Sequence, residues 1–207
     1  MAVAYSALLA VSAFWLGACP FSVWVGRWLL GKEIRDYGDG NPGATNVFRA
    51  GSRKAGCLAA FLDAIKGIPF VLMAHSTFGL PEPMVMMVGL SAILGNAFSP
   101  ILRLRGGKSI GVTFGVLFAL PQHEMVIVLA AFLLLCFLII EIDAWIVILG
   151  TAGSVAYIAV TGGNPWQSLF MFSVLTVLTI KHFGDLQVIP RFKIRPLSWV
   201  QSRRRET

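Results

Sequence analysis

Long apolar runs fill most of this chain, near Val3–Leu30, Ala55–His75, Met84–Leu102, Met125–Ile142, Ala144–Val160 and Trp166–Ile180. A helix needs roughly 20 such residues to cross a hydrocarbon core about 30 Å thick. With 57% hydrophobic and 13% charged residues and a mean hydropathy of +0.76, a soluble core built from 207 residues could not hide this surface. The bilayer is therefore the expected solvent, and the fold class an all-α integral membrane protein. No stretch long enough for a soluble domain lies between the runs, so residues 1–207 read as a single membrane-embedded domain. A seventh apolar piece, Ile110–Leu120, would rise only about 16 Å at 1.5 Å per residue. It is expected to be a short fourth span, tilted or sheltered by its neighbours.

Orientation follows the basic residues, which collect in short cytoplasmic loops. The chain carries 17 Lys and Arg and a formal charge of +7. With seven crossings and the N-terminus outside, Arg27, Lys32, Arg35, Arg49, Arg53 and Lys54 fall in one cytoplasmic loop. Arg103, Arg105 and Lys108 fall in another, and the seven from Lys181 onward at a cytoplasmic C-terminus. Only Lys66 lies inside a span, so 16 of the 17 segregate to one side. Six crossings would send the last group outside, hence the expectation of seven. The charge then marks loops facing anionic headgroups, not a nucleic-acid partner. Residues 187–207, with Pro190 and Pro196, read as a basic cytoplasmic tail. The first basic residue is Arg27, so the N-terminal run lacks the basic start of a signal peptide and reads as a retained helix. Cys19, Cys57 and Cys136 lie apart in apolar runs and read as small core residues, with neither a disulfide framework nor a metal site implied.

Two of the cytoplasmic loops hold the residues that could carry chemistry. The first reads Gly38-Asp39-Gly40-Asn41-Pro42-Gly43-Ala44-Thr45-Asn46, followed by Arg49. Such a backbone turns tightly and can aim N–H groups at an anion. Asn41, Thr45 and Asn46 add neutral hydrogen-bonding groups, and Arg49 a fork suited to phosphate. A plain membrane turn is the alternative, although a turn does not need Asn, Thr and Arg beside its glycines. The second loop reads Arg103-Leu104-Arg105-Gly106-Gly107-Lys108-Ser109. Its glycines allow close approach of a phosphate between two cations. It is not a nucleotide P-loop, because Leu102 stands where that pattern needs glycine. Charge that merely sets topology is the alternative there.

Asp63 and Lys66 lie three apart in the second run and can pair on one helical face. A pair at that depth has to face the bundle interior or a wet cavity, in a structural or a functional role. His182, beside Lys181 and three residues before Asp185, shares the expected cytoplasmic face with both glycine loops. It could handle protons, or simply sit favourably at a helix C-terminus. His75 and His123 fall on the outer side. No internal repeat is visible, which weighs against inverted-repeat transporters.

These residues resemble the bacterial acyl-phosphate:glycerol-3-phosphate acyltransferases, the PlsY family, over nearly the whole chain. Gly40-Asn41-Pro42-Gly43-Ala44-Thr45-Asn46 with Arg49 is similar to that family's first motif. Leu62-Asp63 with Lys66-Gly67 matches a following pattern, Gly106-Gly107-Lys108 the core of the second motif, and Lys181-His182 the Arg-His of the third. The resemblance implies transfer of a fatty acyl group from acyl phosphate to the 1-hydroxyl of glycerol 3-phosphate, giving lysophosphatidic acid and inorganic phosphate. It implies no metal, no cofactor and no obligate protein partner, and a multi-pass location in a bacterial inner membrane with the site facing the cytoplasm. By the same resemblance Thr45, Lys108 and His182 are expected to be catalytic. Asn41, Gly43, Asn46, Arg49, Arg105, Gly106 and Gly107 would bind phosphate, with Asp63, Lys66, Asn96 and Asp185 in support.

The chain departs from the family pattern at several of these positions. Asp39 stands where a small or hydroxyl residue is usual, Asn96 where the family has His, and Arg105 and Ser109 where it has Lys and Gly. Asp185 replaces Asn, and Trp145 a serine. They motivate an alternative expectation, a homologue that is catalytically impaired or repurposed and binds a phosphorylated lipid or anion. A small transporter, suggested only by the spans and the Asp63–Lys66 pair, is a third.

Overall fold

The structure, a computed structural model, describes residues 1–162, 164–190 and 193. Every regular element of any length among them is a helix. The first apolar run is not one continuous rod. Pro20 has no N–H to continue a ladder, so α1 (Ala2–Ala18) stops there and α2 (Phe21–Leu30) starts afresh. Gly31, in the left-handed conformation at φ 62°, closes α2 and turns the chain into the first loop. There follow α3 (Ala44–Arg49) and α4 (Arg53–Ile65), the latter capped by the Ser52 hydroxyl, which accepts from Ala55 N–H at 3.1 Å. Pro69 opens α5 (Pro69–Leu72), which runs on into a π-helical turn at Met73–Thr77. The rest is α6 (Glu82–Ala97), α7 (Ile110–Ala119), α8 (Glu124–Ile139), α9 (Asp143–Val160) and α10 (Pro165–His182).

Each run singled out in the sequence is thus helical, the first and second with a break and the third interrupted at Phe98–Ser99 before a short turn of helix at Pro100–Leu102. By length and composition, 2–30, 53–77, 82–102 and 143–160 are long and apolar enough to cross a membrane. The helices Ile110–Ala119 and Glu124–Ile139 are apolar but shorter.

Small residues set the closest packing. A side-chain carbon added at Gly17 would strike the Ala92 carbonyl, and one at Gly95 the Phe14 carbonyl, so α1 and α6 touch backbone to backbone. Gly115 meets Ala64 in the same way between α7 and α4. Around these contacts Val88, Ile93, Val116, Leu117, Met125, Met171 and Val174 form the main core. A second cluster, Val23, Val25, Ile34, Val47, Ala50, Ala55 and Ala59, lies under the first loop and fixes α3 against α2 and α4. On the outside, Phe118 (64% exposed), Ile127 (66%) and Leu138 (64%) point away from the bundle, as a lipid-facing wall requires.

The cysteines correct an expectation. Cys57 is exposed on α4, and Cys19 and Cys136 are only half-buried, so none is a core residue. Most of the basic tail from 187 lies outside the described residues. At Lys193 the chain touches the end of α8, donating from Nζ to the Phe137 carbonyl at 2.6 Å.

Candidate active site

The first loop is built by its own side chains. Gly38 and Gly40 adopt φ of 59° and 71°, where a side chain would be strained, and they bracket Asp39. Asn46, 1% exposed, donates from Nδ2 to Asp39 Oδ1 at 2.9 Å and to the Asn41 carbonyl at 2.9 Å. Its Oδ1 accepts from Arg49 at 3.2 Å. Asn41 N–H also donates to Asp39 Oδ1, at 3.2 Å. The backbone N–H groups of Gly40, Gly43 and Asn46 bond to carbonyls of Tyr37, Asn41 and Gly43. The open nest expected from the sequence is therefore already closed on itself, with the Asp39 carboxylate as its anion.

Backbone contacts hold the second loop. Gly107 N–H donates to the Asn96 carbonyl at 2.9 Å, and Gly106 lies so close to that carbonyl that no side chain fits. Arg103, Leu104 and Ser109 have φ of 53°, 64° and 63°, unusual for residues with side chains. At Ser109 the strain is offset locally: its hydroxyl accepts from Asn96 Nδ2 at 2.9 Å and donates to the Ile93 carbonyl at 3.2 Å. Asn96 and Ser109, two of the positions that depart from the family pattern, are therefore partners.

Lys108 joins the two loops to the turn after α10. Its Nζ lies 2.6 Å from Asp39 Oδ2 and 2.6 Å from Asp185 Oδ2. Burial works to raise the Asp39 pKa, but the hydrogen bonds from Lys108, Asn41 N–H and Asn46 outweigh it and hold the carboxyl at about 2. Burial likewise works to lower Lys108, and its bonds to Asp185 and Asp39 reverse that, leaving its pKa raised. Asp39 and Lys108 are therefore charged at neutral pH.

A cavity of about 390 Å³ opens beside this cluster. Asn41, Gly43, Thr45, Arg49, Asp63, Asn96, Gly107, Lys108 and His182 all line it, so these expected site residues converge although they come from five parts of the chain. A second cavity of about 340 Å³ adjoins it across Asp39 and Lys108 and takes in Arg105, Gly106, Lys181 and Asp185. Asn46 and Lys66 line neither. Asn46 braces the first loop from within, and Lys66, 3% exposed, donates to Asp63 Oδ1 at 2.8 Å and to the Cys19 carbonyl at 3.0 Å. With Ser22 Oγ donating to Asp63 Oδ2 at 2.5 Å, this pair ties the Pro20 break to α4 at the cavity's edge.

His182 is 2% exposed, and its Nδ1 is 2.8 Å from the Leu178 carbonyl. A carbonyl can only accept, so in the neutral ring Nδ1 carries the proton and Nε2 keeps its lone pair. Sequence reasoning missed Asp143 and the apolar wall of Phe137, Ile110, Val112, Ile146 and Val147, which also line the larger cavity. The pair of carboxylates Glu141 and Asp143, at the join of the runs Met125–Ile142 and Ala144–Val160 and on the same expected face as both loops, was the available signal for Asp143. Trp145 turns its ring N–H to the Val188 carbonyl at 2.8 Å and so holds the chain after α10. Among the described residues no group of three His, Cys, Asp or Glu side chains comes together to hold a metal.

Fold and site together define a helical membrane protein with a glycine-lined cavity that carries charges of both signs, Arg49 and Lys108 beside Asp39, Asp63 and Asp143, and is bounded on one side by apolar residues. The sequence family described as Glycerol-3-phosphate acyltransferase matches residues 7–190. The chain belongs to the glycerol-3-phosphate acyltransferase family. Among curated relatives of that name, the protein of Laribacter hongkongensis is 40% identical over 126 residues, 59% of this chain and 63% of the relative. That of Lactococcus lactis is 29% identical over 190 residues, 88% of each chain. The chain spans about 60% of the length of the first curated relatives it matches. The crystal structure of PlsY (YgiH), an integral membrane glycerol 3-phosphate acyltransferase in its glycerol 3-phosphate form, is similar with a TM-score of 0.79 at 27% identity. That match covers 88% of this chain and 90% of PlsY. The lysophosphatidic acid form of PlsY matches with a TM-score of 0.77 at 26% identity.

Proposed function

We propose that this protein moves a fatty acyl group from acyl phosphate to the 1-hydroxyl of glycerol 3-phosphate, yielding lysophosphatidic acid and inorganic phosphate for phospholipid synthesis. The observation that carries this reading is the convergence of both glycine loops and His182 on one cavity that is polar, with Arg49 and Lys108, on one side and apolar on the other. Both substrates bear phosphate, and one bears a chain that has to lie in lipid. The apolar wall of Phe137, Ile146 and Val147 suits that chain, and Arg49, Lys108 and Arg105 suit the phosphates. Holding the two together supplies proximity.

In the reaction the glycerol hydroxyl oxygen bonds to the acyl carbonyl carbon, and the bond from that carbon to the phosphate oxygen breaks. His182 Nε2 takes the hydroxyl proton, and the departing phosphate leaves with the bonding electron pair. Lys108 balances the charge on that phosphate, and the Gly106-Gly107 turn, without side chains, lets it approach. Thr45 and Asn41 orient the acceptor. The single domain crosses a bacterial inner membrane seven times, N-terminus outside, with the site and the tail from 187 on the cytoplasmic side. The segregation of 16 of 17 basic residues supports this orientation.

The test is an assay of purified protein in lipid vesicles, following radiolabelled glycerol 3-phosphate into lysophosphatidic acid. Labelled product that depends on acyl phosphate and disappears in folded Lys108→Ala is expected. No product from folded wild-type protein would favour an anion-binding homologue instead, the reading that the carboxylates on Lys108 would support.

A further inference from the structure

Four donors of the site converge on one carboxylate. Asp39 accepts from Asn41 N–H, Asn46 Nδ2 and Lys108 Nζ, and Arg49 stands 3.9 Å from Oδ1. A backbone N–H, an amide, an ammonium and a guanidinium are the groups that hold a phosphate oxygen. Lys108 has three N–H groups, and two already face Asp39 and Asp185. A phosphate dianion brought beside these two carboxylates meets repulsion before it meets a free donor.

We propose that Asp39 is a resident anion in the place of a substrate phosphate. Glycerol 3-phosphate then binds by exchange with Asp39 on Lys108, and Asp39 and Asp185 together set its affinity. The exchange is mechanically simple. The Asp39 side chain is 31% exposed and that of Asp185 41%, so each can rotate into water, and Asp39 has a glycine on either side. Asp39 and Asp185 are thus affinity-setting residues, weakening the hold on any phosphate substrate while leaving the reacting groups in place.

This inference rests on the acyltransferase reading, and its test separates the two. Steady-state rates of the full chain in vesicles, with varied glycerol 3-phosphate, are compared for wild type, Asp39→Asn and Asp185→Asn. The amide keeps the shape and removes the charge. The Michaelis constant is expected to fall about tenfold for Asp39→Asn and about threefold for Asp185→Asn, with kcat within about threefold. The inhibition constant of inorganic phosphate falls in parallel, a change that a merely structural role would not produce. A constant that is unchanged or raised in folded variants overturns the proposal. If all forms are inactive, the acyltransferase reading fails, and equilibrium binding of labelled glycerol 3-phosphate and of inorganic phosphate decides the inference alone. Tighter binding by the variants upholds it, and equal or weaker binding rejects it. Should Asp39→Asn not fold, Asp185→Asn carries the same test in the same direction.

Discussion

The loop at 38–46 and the loop at 103–109 meet at Lys108, which the second carries and the first contacts through Asp39, yet they are held by different means. In the first, the buried Asn46 side chain ties Asp39, Asn41 and Arg49 together. In the second, glycines press against the end of α6, and Gly107 N–H bonds to its Asn96 carbonyl. A loop held by side chains can be retuned by one substitution, because its backbone has room to keep its path. A loop held by backbone contact has no such freedom. The charge-setting residue Asp39 accordingly sits in the first loop, and the fixed cation Lys108 in the second.

This contrast can be broken most sharply at Gly106. Gly106→Ala puts a carbon into the Asn96 and Ala97 carbonyls, neither of which can yield, so the loop and Lys108 must shift. Displacement of about 1 Å at a reacting group can cost about a hundredfold. A loss of that size in kcat/KM is expected, and near-normal rates would refute the backbone-held description. Asn46→Ala comes next. It leaves Asp39 and Arg49 without a brace and should raise the Michaelis constant for glycerol 3-phosphate, with a fall in stability of about 1–3 kcal/mol measurable by denaturation. No change in either would mean that the first loop is held by something else.

A smaller effect is expected at Ser109, where φ is 63°. Ser109→Ala keeps the strained backbone and loses the bonds to Asn96 and Ile93, whereas Ser109→Gly loses the bonds but relieves the strain. The glycine variant should be more stable than the alanine variant by about 1 kcal/mol. The reverse order would show that the left-handed geometry costs little here.

The smallest effect concerns pH. Asp39 has its carboxyl lowered from the usual 3.8 to about 2, so the stability it contributes is present above 3.8 and is lost only as pH falls toward 2. Between pH 5 and 8 the contact with Lys108 does not titrate. A change in glycerol 3-phosphate affinity across that window should therefore follow the phosphate's own ionisation near pH 6 or a histidine of the site, and not Asp39. Asp39→Asn should leave the shape of that profile intact while shifting its level, and a changed shape would mean that Asp39 titrates within the window.

Much of the frame could be read from the chain. The apolar runs, the short helix at 110–119 and the polar groups of both loops were legible because hydropathy, glycine and charge are local signals. The break at Cys19–Pro20 was not, since an unbroken hydropathy profile hides a missing N–H. Nor could the sequence show that its odd positions meet. Asp39 and Asp185 were each visible as departures, but they lie 146 residues apart, and only the packing of α10 beside the loops brings both to Lys108. Asn96 and Ser109 pair in the same way across a turn. The closure of the first loop on its own carboxylate also depended on side-chain geometry that composition does not carry.

The central claim is that both loops act on one acyl-transfer step through Lys108. Its most direct test is to count products when purified protein in vesicles is given acyl phosphate and glycerol 3-phosphate together. One inorganic phosphate released per lysophosphatidic acid formed, with neither product from folded Lys108→Ala, is the predicted result. Phosphate release without the acceptor, or product formation that survives the loss of Lys108, would contradict it.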